Sequence, residues 1–158
     1  MKIVFLTHPC DLGTLAALHA ASFSEAWSAE WIGKLMEQPG VFACLAGDES
    51  GGFVLVRAAG GEAEVLTLAV TPAARRRGIG TELIAAAARQ AHEMGAQTMF
   101  LEVGEANLHA KLLYARLGFR EVARRRGYYA SSDGGNEDAL VLGVELPLSR
   151  VGNLAQLD

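Results

Sequence analysis

Apolar residues fall along the chain in short runs, and the period of each run separates strand from helix. "KIVFL" (residues 2–6) predicts a first strand. "DLGTLAALHAASF" carries Leu12, Leu15, Ala16 and Leu18 at helical spacing. "SAEWIGKLMEQ" opens on Ser28, a good N-cap residue, and places Trp31, Ile32, Leu35 and Met36 on one stripe before Pro39-Gly40 ends it. Three apolar runs follow in quick succession, "VFACLAG", "FVLVRAA" and "AEVLTLAV", parted by the turns "DESGG" and "GGE". Short strands separated by Gly-rich turns predict an antiparallel meander. "VTPAARRRG" reads as a loop and "IGTELIAAAARQAHEMG" as a helix closed by Gly95. "TMFLEV" is a strand, "EANLHAKLLYARLG" a helix stopped by Gly118, and "FREVARR" and "DALVLGVEL" the last strands, with "GYYASSDGGNE" as a polar loop between them.

That order is strand, two helices, three strands, helix, strand, helix, two strands. It predicts an α+β fold with a mixed, mostly antiparallel sheet flanked by helices. One domain over residues 1–148 and a frayed tail over 149–158 are expected, with no internal repeat. A length of 158 residues with 51% apolar content suits one sizeable core.

Charge narrows the partners. The formal net charge is −4, whereas a dedicated nucleic-acid binder is usually basic, so no nucleic-acid partner is expected. The three lysines are Lys2, Lys34 and Lys111, so most positive charge is guanidinium, suited to a multidentate grip on phosphate. Cys10 and Cys44 lie in no CxxC or Cys/His spacing, so no metal site is expected and both read as buried free thiols in a reducing compartment. The N-terminal apolar run is too short for a signal-peptide core and no run approaches a membrane span. The expectation is a cytoplasmic protein, a monomer or weak dimer, with no membrane partner.

Candidate chemistry starts at Arg75, Arg76 and Arg77, which run into Gly78, Ile79, Gly80 and Thr81 at the start of a helix. First-turn amides of a helix lack internal partners, and the macrodipole adds positive character there. Glycines let an anion approach those amides, which makes a phosphate socket with arginines at its rim. The spacing is neither Walker A nor Gly-x-Gly-x-x-Gly, since position 83 is Leu.

With its Arg-x-x-Gly-x-Gly at Arg75, Gly78 and Gly80, the sequence resembles the GNAT acyltransferase superfamily. It is most similar there to the bacterial ribosomal-protein-alanine N-acetyltransferases, through "LAVTPAARRRGIGTELI", "LEVGEANLHAKLLYARLGF" and "RRRGYYASSDGGNEDALVL". The resemblance implies the GNAT fold, acetyl-coenzyme A as donor and an amine as acceptor. It implies that the cofactor pyrophosphate sits on the amides of residues 75–81 and that backbone groups of Leu68, Ala69 and Val70 pair with the pantetheine arm.

Acetyl transfer needs a neutral amine, a polarised carbonyl, a proton for the leaving thiolate and close juxtaposition. An α-amine, with a pKa of about 7.7–8.0, is more often neutral than a lysine at about 10.4, so a chain N-terminus is the easier acceptor. Glu102 interrupts an apolar strand, and a partly desolvated carboxylate there suits a general base; a structural ion pair with an arginine such as Arg116 is the alternative. Asn107 and Tyr114 stand seven apart, on one helical face, with Leu108, Leu112 and Ala115 elsewhere. Tyr114 can protonate the departing sulfur, or be a core tyrosine. The resemblance implies that Glu102 is the base, Tyr114 the acid and Asn107 a cofactor contact. His8, His19, His92 and His109 read as surface or internally satisfied residues. A backbone N–H near residues 68–70 would form the oxyanion site.

Tyr128 and Tyr129 suit the clamping of a peptide backbone. Asp133, Glu137 and Asp138 suit attraction of a basic peptide or a solvated hairpin, and Trp27 an opposite wall, with core packing for Trp31. Gly104 and Glu105, Gly127 in place of the usual Asn, and Ala26 in place of the usual Pro depart from the family on the acceptor side. The first reading is N-terminal acetylation of a ribosomal protein beginning with alanine. Transfer to a small amine or lysine, and a non-catalytic acyl-coenzyme A-binding module, are the alternatives.

Overall fold

A computed structural model describes residues 2–47, 51–130 and 135–149. Seven strands form one sheet: β1 (Ile3–Leu6), β2 (Val41–Ala46), β3 (Gly52–Ala59), β4 (Glu62–Val70), β5 (Thr98–Gly104), β6 (Arg120–Ala130) and β7 (Asn136–Glu145). Their spatial order is β1-β2-β3-β4-β5-β7-β6. Every neighbouring pair is antiparallel except β4 and β5. The helices are α1 (Leu12–Ser22), α2 (Ala29–Met36), α3 (Ile79–Glu93) and α4 (Leu108–Arg116).

Two cores sandwich the sheet. On one face Leu15 and Leu18 of α1 and Ile32, Leu35 and Met36 of α2 pack on Val41, Ala43, Leu45, Phe53 and Leu55. On the other, Leu83, Ile84, Ala87, Ala88 and Ala91 of α3 and Tyr114 of α4 pack on Val54, Val56, Val65, Met99, Leu101 and Leu140. All six residues of β2 are buried because helices cover both its faces, which is why its run is apolar without alternation. The β3–β4 hairpin turns on Gly60 (φ 62°) and Gly61 (φ 82°), the two left-handed positions of a type I′ turn.

One irregularity shapes everything that follows. Leu55 pairs with Thr67 and the next residue, Val56, with Val65, so Leu66 is an extra residue in β4. A bulge of this kind bends its strand and increases the local twist. On its other edge β4 pairs with β5 only through Glu62–Thr98, Ala63–Met99 and Glu64–Phe100. Beyond Glu64 the two strands part.

The structure corrects several boundaries. Tyr128 and Tyr129 lie in β6, not in a loop. Gly127 (φ 63°) sits inside an irregularity between Arg125 and Tyr129, after which pairing resumes at Tyr129–Glu137. The glycine that reads as punctuation is a bulge residue within a strand. Helix α4 begins at Leu108, because Asn107 caps it through Oδ1, which accepts from the Ala110 N–H at 3.2 Å. A short 3-10 turn, Pro72–Ala74, occupies part of the loop before the arginines. Leu148 is buried in the core. Cys44 is buried, whereas Cys10 is only half-buried. Residues 48–50 of the first meander turn, Asp133 and residues 150–158 lie outside the described residues.

Candidate active site

The site grows from the parting of β4 and β5. After β4 the chain passes the 3-10 turn and enters α3 at Gly78, whose left-handed φ of 77° supplies no side-chain cap. The first-turn amides of α3 therefore stay available to an outside acceptor. A Cβ on Gly80 would stand 2.9 Å from Leu113 and 3.7 Å from Leu68 and Val70. Its missing side chain thus serves the close approach of α3 to α4 and β4, in addition to any access for an anion. Ile79 is buried in the core, and Arg76 and Arg77 are exposed. Arg75 behaves differently: its Nε donates to Val70 O at 3.0 Å and its Nη2 to Ser22 O at 3.2 Å. Leu68, Ala69 and Val70 pair with Val54, Phe53 and Gly52 of β3 on one edge, while β5 has left the other.

Tyr114 projects from α4 into the core with 7% of its surface exposed, edge-on to Phe119 at 5.6 Å. Burial pushes its phenol up to about 12. Among the described residues its hydroxyl has no hydrogen-bond partner, and no sealed side-chain oxygen lacks one, so the hydroxyl reaches the surface. Asn107 stands outside the helix as its cap, which corrects the picture of two residues on one helical face; Leu108 and Leu112 are exposed.

Glu102 points to the opposite face of β5, into an open cavity of about 510 Å³. Arg57, Glu64, Leu66, Phe100, Arg125 and Tyr129 are among its walls. The bulge residue Leu66 thus lies on the same cavity as the candidate base. The Glu102 side chain keeps 32% exposure and pairs with Arg125 Nε at 3.2 Å, so it is more open than a carboxylate in an apolar strand suggests, and its partner is not Arg116. Arg125 also stands 5.1 Å from the centre of the Tyr128 ring. Burial first, then the Glu102 carboxylate, pushes the Tyr129 phenol up.

The neighbouring acids are not an open acidic patch. Arg124 joins Glu105 at 2.9 Å, Asp138 at 2.7 Å and Glu121 at 3.3 Å. Glu137 accepts from the Ala106 N–H at 2.7 Å, and Asp138 from the Gly127 N–H at 2.9 Å. The Gly127 N–H, then Arg124, holds the Asp138 carboxyl below the usual carboxylate range. These acids fasten the β5–α4 turn to β6 and β7.

Trp31 does not take the core place expected of it. Trp31 is 46% exposed, while Trp27 packs on the α1–α2 core. The Trp27 ring stacks on His19 at 4.9 Å, and the backbone N–H of Trp27 donates to His19 Nδ1 at 3.0 Å. His19 is itself 2% exposed, with Nε2 3.3 Å from Thr67 Oγ1 of β4. Burial lowers its pKa below the ordinary histidine value.

The model of the acetyltransferase (GNAT) family matches residues 12–119. The chain belongs to the GNAT family. It is 30% identical over 150 residues to the [Ribosomal protein bS18]-alanine N-acetyltransferase of Haemophilus influenzae, covering 92% of this chain and 100% of that one. It superposes on the crystal structure of the ribosomal-protein-S18-alanine N-acetyltransferase from Escherichia coli with a TM-score of 0.80 and 25% identity, over 92% and 94% of the two chains. Arabidopsis thaliana NAA60 in complex with acetyl-CoA shares the fold, with a TM-score of 0.74 and 22% identity over 92% and 99%. This GNAT chain is an N-acetyltransferase by family, and the mixed sheet expected of it is present.

Five features of this GNAT site were not visible in the sequence. The Leu66 bulge lies in an apolar run with no glycine to mark it. Arg125 and the Arg57–Glu64 pair, at 3.0 Å, come from strands distant in sequence. The two carbonyl partners of Arg75 and the His19–Thr67 contact depend on how α1 lies against β4. Among the described residues no helix is long and apolar enough to cross a membrane.

Proposed function

We propose that the chain transfers the acetyl group of acetyl-coenzyme A to the N-terminal α-amine of a protein, a small-subunit ribosomal protein beginning with alanine. The observation that carries the activity is the parting of β4 from β5, which opens a socket and a bare strand edge beside the cavity that holds Glu102. The name of the Haemophilus influenzae relative, whose whole length is matched, supports the acceptor.

The chain fits the donor. The uncapped start of α3, residues 75–81, would hold the diphosphate through its amides, with Arg76 and Arg77 at the rim. The edge of β4 at Leu68, Ala69 and Val70 would pair with the amides of the arm as a strand does. Asn107 spends its Oδ1 on capping α4, which leaves its amide group as a donor. When bound, the donor supplies an activated acyl group as a thioester.

The chain's own groups handle the protons. Glu102 would take one from the acceptor amine, directly or through water, at the floor of the cavity. Tyr114 keeps its proton throughout the neutral range, since its phenol titrates near 12. An ordinary thiol is the stronger acid, at about 8.5. Tyr114 is therefore best suited to hydrogen-bond the sulfur as charge develops there. Tyr128, Tyr129 and the Trp27 segment would flank the acceptor, and Arg125 must yield Glu102 to it. A cytoplasmic, monomeric or weakly dimeric enzyme without metal or nucleic acid is the setting of this reading.

The test is mass spectrometry of the host's ribosomal proteins after incubation with the enzyme and acetyl-coenzyme A. Acetyl on an N-terminal alanine is expected. Acetyl only on lysine side chains or free polyamines would refute the acceptor.

A further inference from the structure

Arg75 opens the Arg-x-x-Gly-x-Gly motif, yet its guanidinium grips two carbonyls of the protein, Val70 O and Ser22 O. Val70 ends β4 and Ser22 ends α1. One side chain thus joins the candidate phosphate loop, the candidate cofactor edge and the helix whose end leads into the Trp27 segment. The chemistry suits the place. The last carbonyls of a helix have no internal donors, and its C-terminus favours a cation. A guanidinium presents donors in a fixed fork that spans two acceptors, which an ammonium cannot reproduce. The backbone is extended at Arg75 (φ −67°, ψ 154°) and left-handed at Arg76 (φ 65°), so the chain reverses direction immediately after the gripping residue. A second tie runs parallel to the first: His19 of α1 meets Thr67 of β4 and accepts the Trp27 N–H.

We propose that Arg75 is a positioning residue, a strap that makes the phosphate loop and the Trp27 wall respond as one unit, so that occupation of the cofactor side is felt on the acceptor side. The proposal rests on the coenzyme A reading above and on the proposed place of the Trp27 segment beside the acceptor, not on which acceptor is used. Coupling of this kind is reciprocal: whatever coenzyme A does to the Trp27 wall, a ligand at that wall does to coenzyme A.

The test titrates coenzyme A alone. The two tryptophans are Trp27 and Trp31, so a Trp31→Phe background leaves Trp27, stacked on His19, as the sole emitter. Calorimetry gives the coenzyme A affinity, and Trp27 emission reports the acceptor wall. In the background protein coenzyme A should change the Trp27 emission. In Arg75→Gln the affinity should fall by less than about tenfold, since a lost charged phosphate contact would cost more than that, while the emission change disappears. Arg75→Lys should restore part of it. A full emission response in Arg75→Gln overturns the strap. So does loss of coenzyme A binding in a variant whose thermal midpoint is intact, which would make Arg75 a phosphate ligand. Should Arg75→Gln fail to fold, Arg75→Lys reads the same two quantities. Binding heat without any Trp27 response overturns the strap and spares the proposed function; no heat at all overturns both.

Discussion

Glu102→Gln replaces one carboxylate oxygen by an amide nitrogen at the floor of the cavity, and the structure sets two separate scales for its effect. The first is stability. Glu102 loses an ion pair whose members keep 32% and 58% exposure. Pairs so open to water contribute about 0–1 kcal/mol. In a chain of this size 1 kcal/mol moves the thermal midpoint by about 2–4 °C. The second scale is rate. A positioned general base contributes about 10²–10⁴-fold, or roughly 3–5 kcal/mol of activation free energy. The loss of rate therefore exceeds anything that partial unfolding could cause. Coenzyme A affinity should hold, because Glu102 faces the cavity while the proposed socket lies at the start of α3. The assay combines initial rates of thiol release with an Ala-initiated peptide, calorimetry with coenzyme A and a thermal melt on the same preparation. Turnover within about threefold of the parent, at unchanged affinity and melting, would remove Glu102 from the base role.

Tyr114→Phe should lower kcat by at least about tenfold. Stability should hold, since among the described residues the hydroxyl has no partner to lose; an unchanged rate would assign the proton to solvent. Because the phenol titrates near 12, no loss of rate between pH 8 and 10 should trace to Tyr114; such a loss, absent in Tyr114→Phe, would contradict its buried state. His19 has a folded pKa below its unfolded one, so below about pH 6.5 the unfolded chain takes up a proton that the native chain refuses. Its contribution is present above that pH and is lost as pH falls toward the folded value, so urea midpoints at pH 7.5 and 5.5 should differ more in the parent than in His19→Asn. Gly127→Asn should cost less than Gly127→Val by about 1 kcal/mol in chemical unfolding, because φ is 63° and a Cβ meets nothing closer than 3.7 Å; equal losses would locate the cost in packing instead.

The fold was largely legible because its elements obey a single period each. The alanine-rich stripe of α3 and the buried run of β2 announce themselves by pattern. What pattern cannot carry is a departure that leaves hydrophobicity unchanged. Leu66 sits in a mostly apolar run with no glycine, so nothing marks the bulge beside which β4 and β5 part. Gly127 errs the other way: a glycine beside tyrosines reads as a loop, whereas it is a left-handed step inside a paired strand. Trp31 shares a helical stripe with Ile32 and Leu35 in projection, yet stands at the edge of the buried arc, and Trp27 takes the core contact through His19. For the candidate site, residue types located Glu102, Tyr114 and the glycine loop, but not what each would touch. An arginine can be placed in a motif by spacing; that its fork turns to Ser22 and Val70 depends on tertiary packing alone.

The chemistry assigned to this chain divides along the sheet. The unit β4–α3–β5–α4 supplies the bare edge, the uncapped helix start, Glu102 and Tyr114, and it contains the sheet's one parallel junction. Ligands of such units collect beyond the carboxyl ends of parallel strands, where a helix start follows the strand, and here the bulge widens that end. The proposed acceptor wall comes from outside the unit, from the Trp27 segment on one side and from Arg125, Tyr128 and Tyr129 of β6 on the other. The family match covers residues 12–119, so it includes the proposed donor unit and the Trp27 segment and stops before β6 gives its first residue. Of the two proposed acceptor flanks, only β6 therefore lies beyond the matched residues. Arg75 is where the end of α1, which leads into the other flank, is tied back to the proposed donor side.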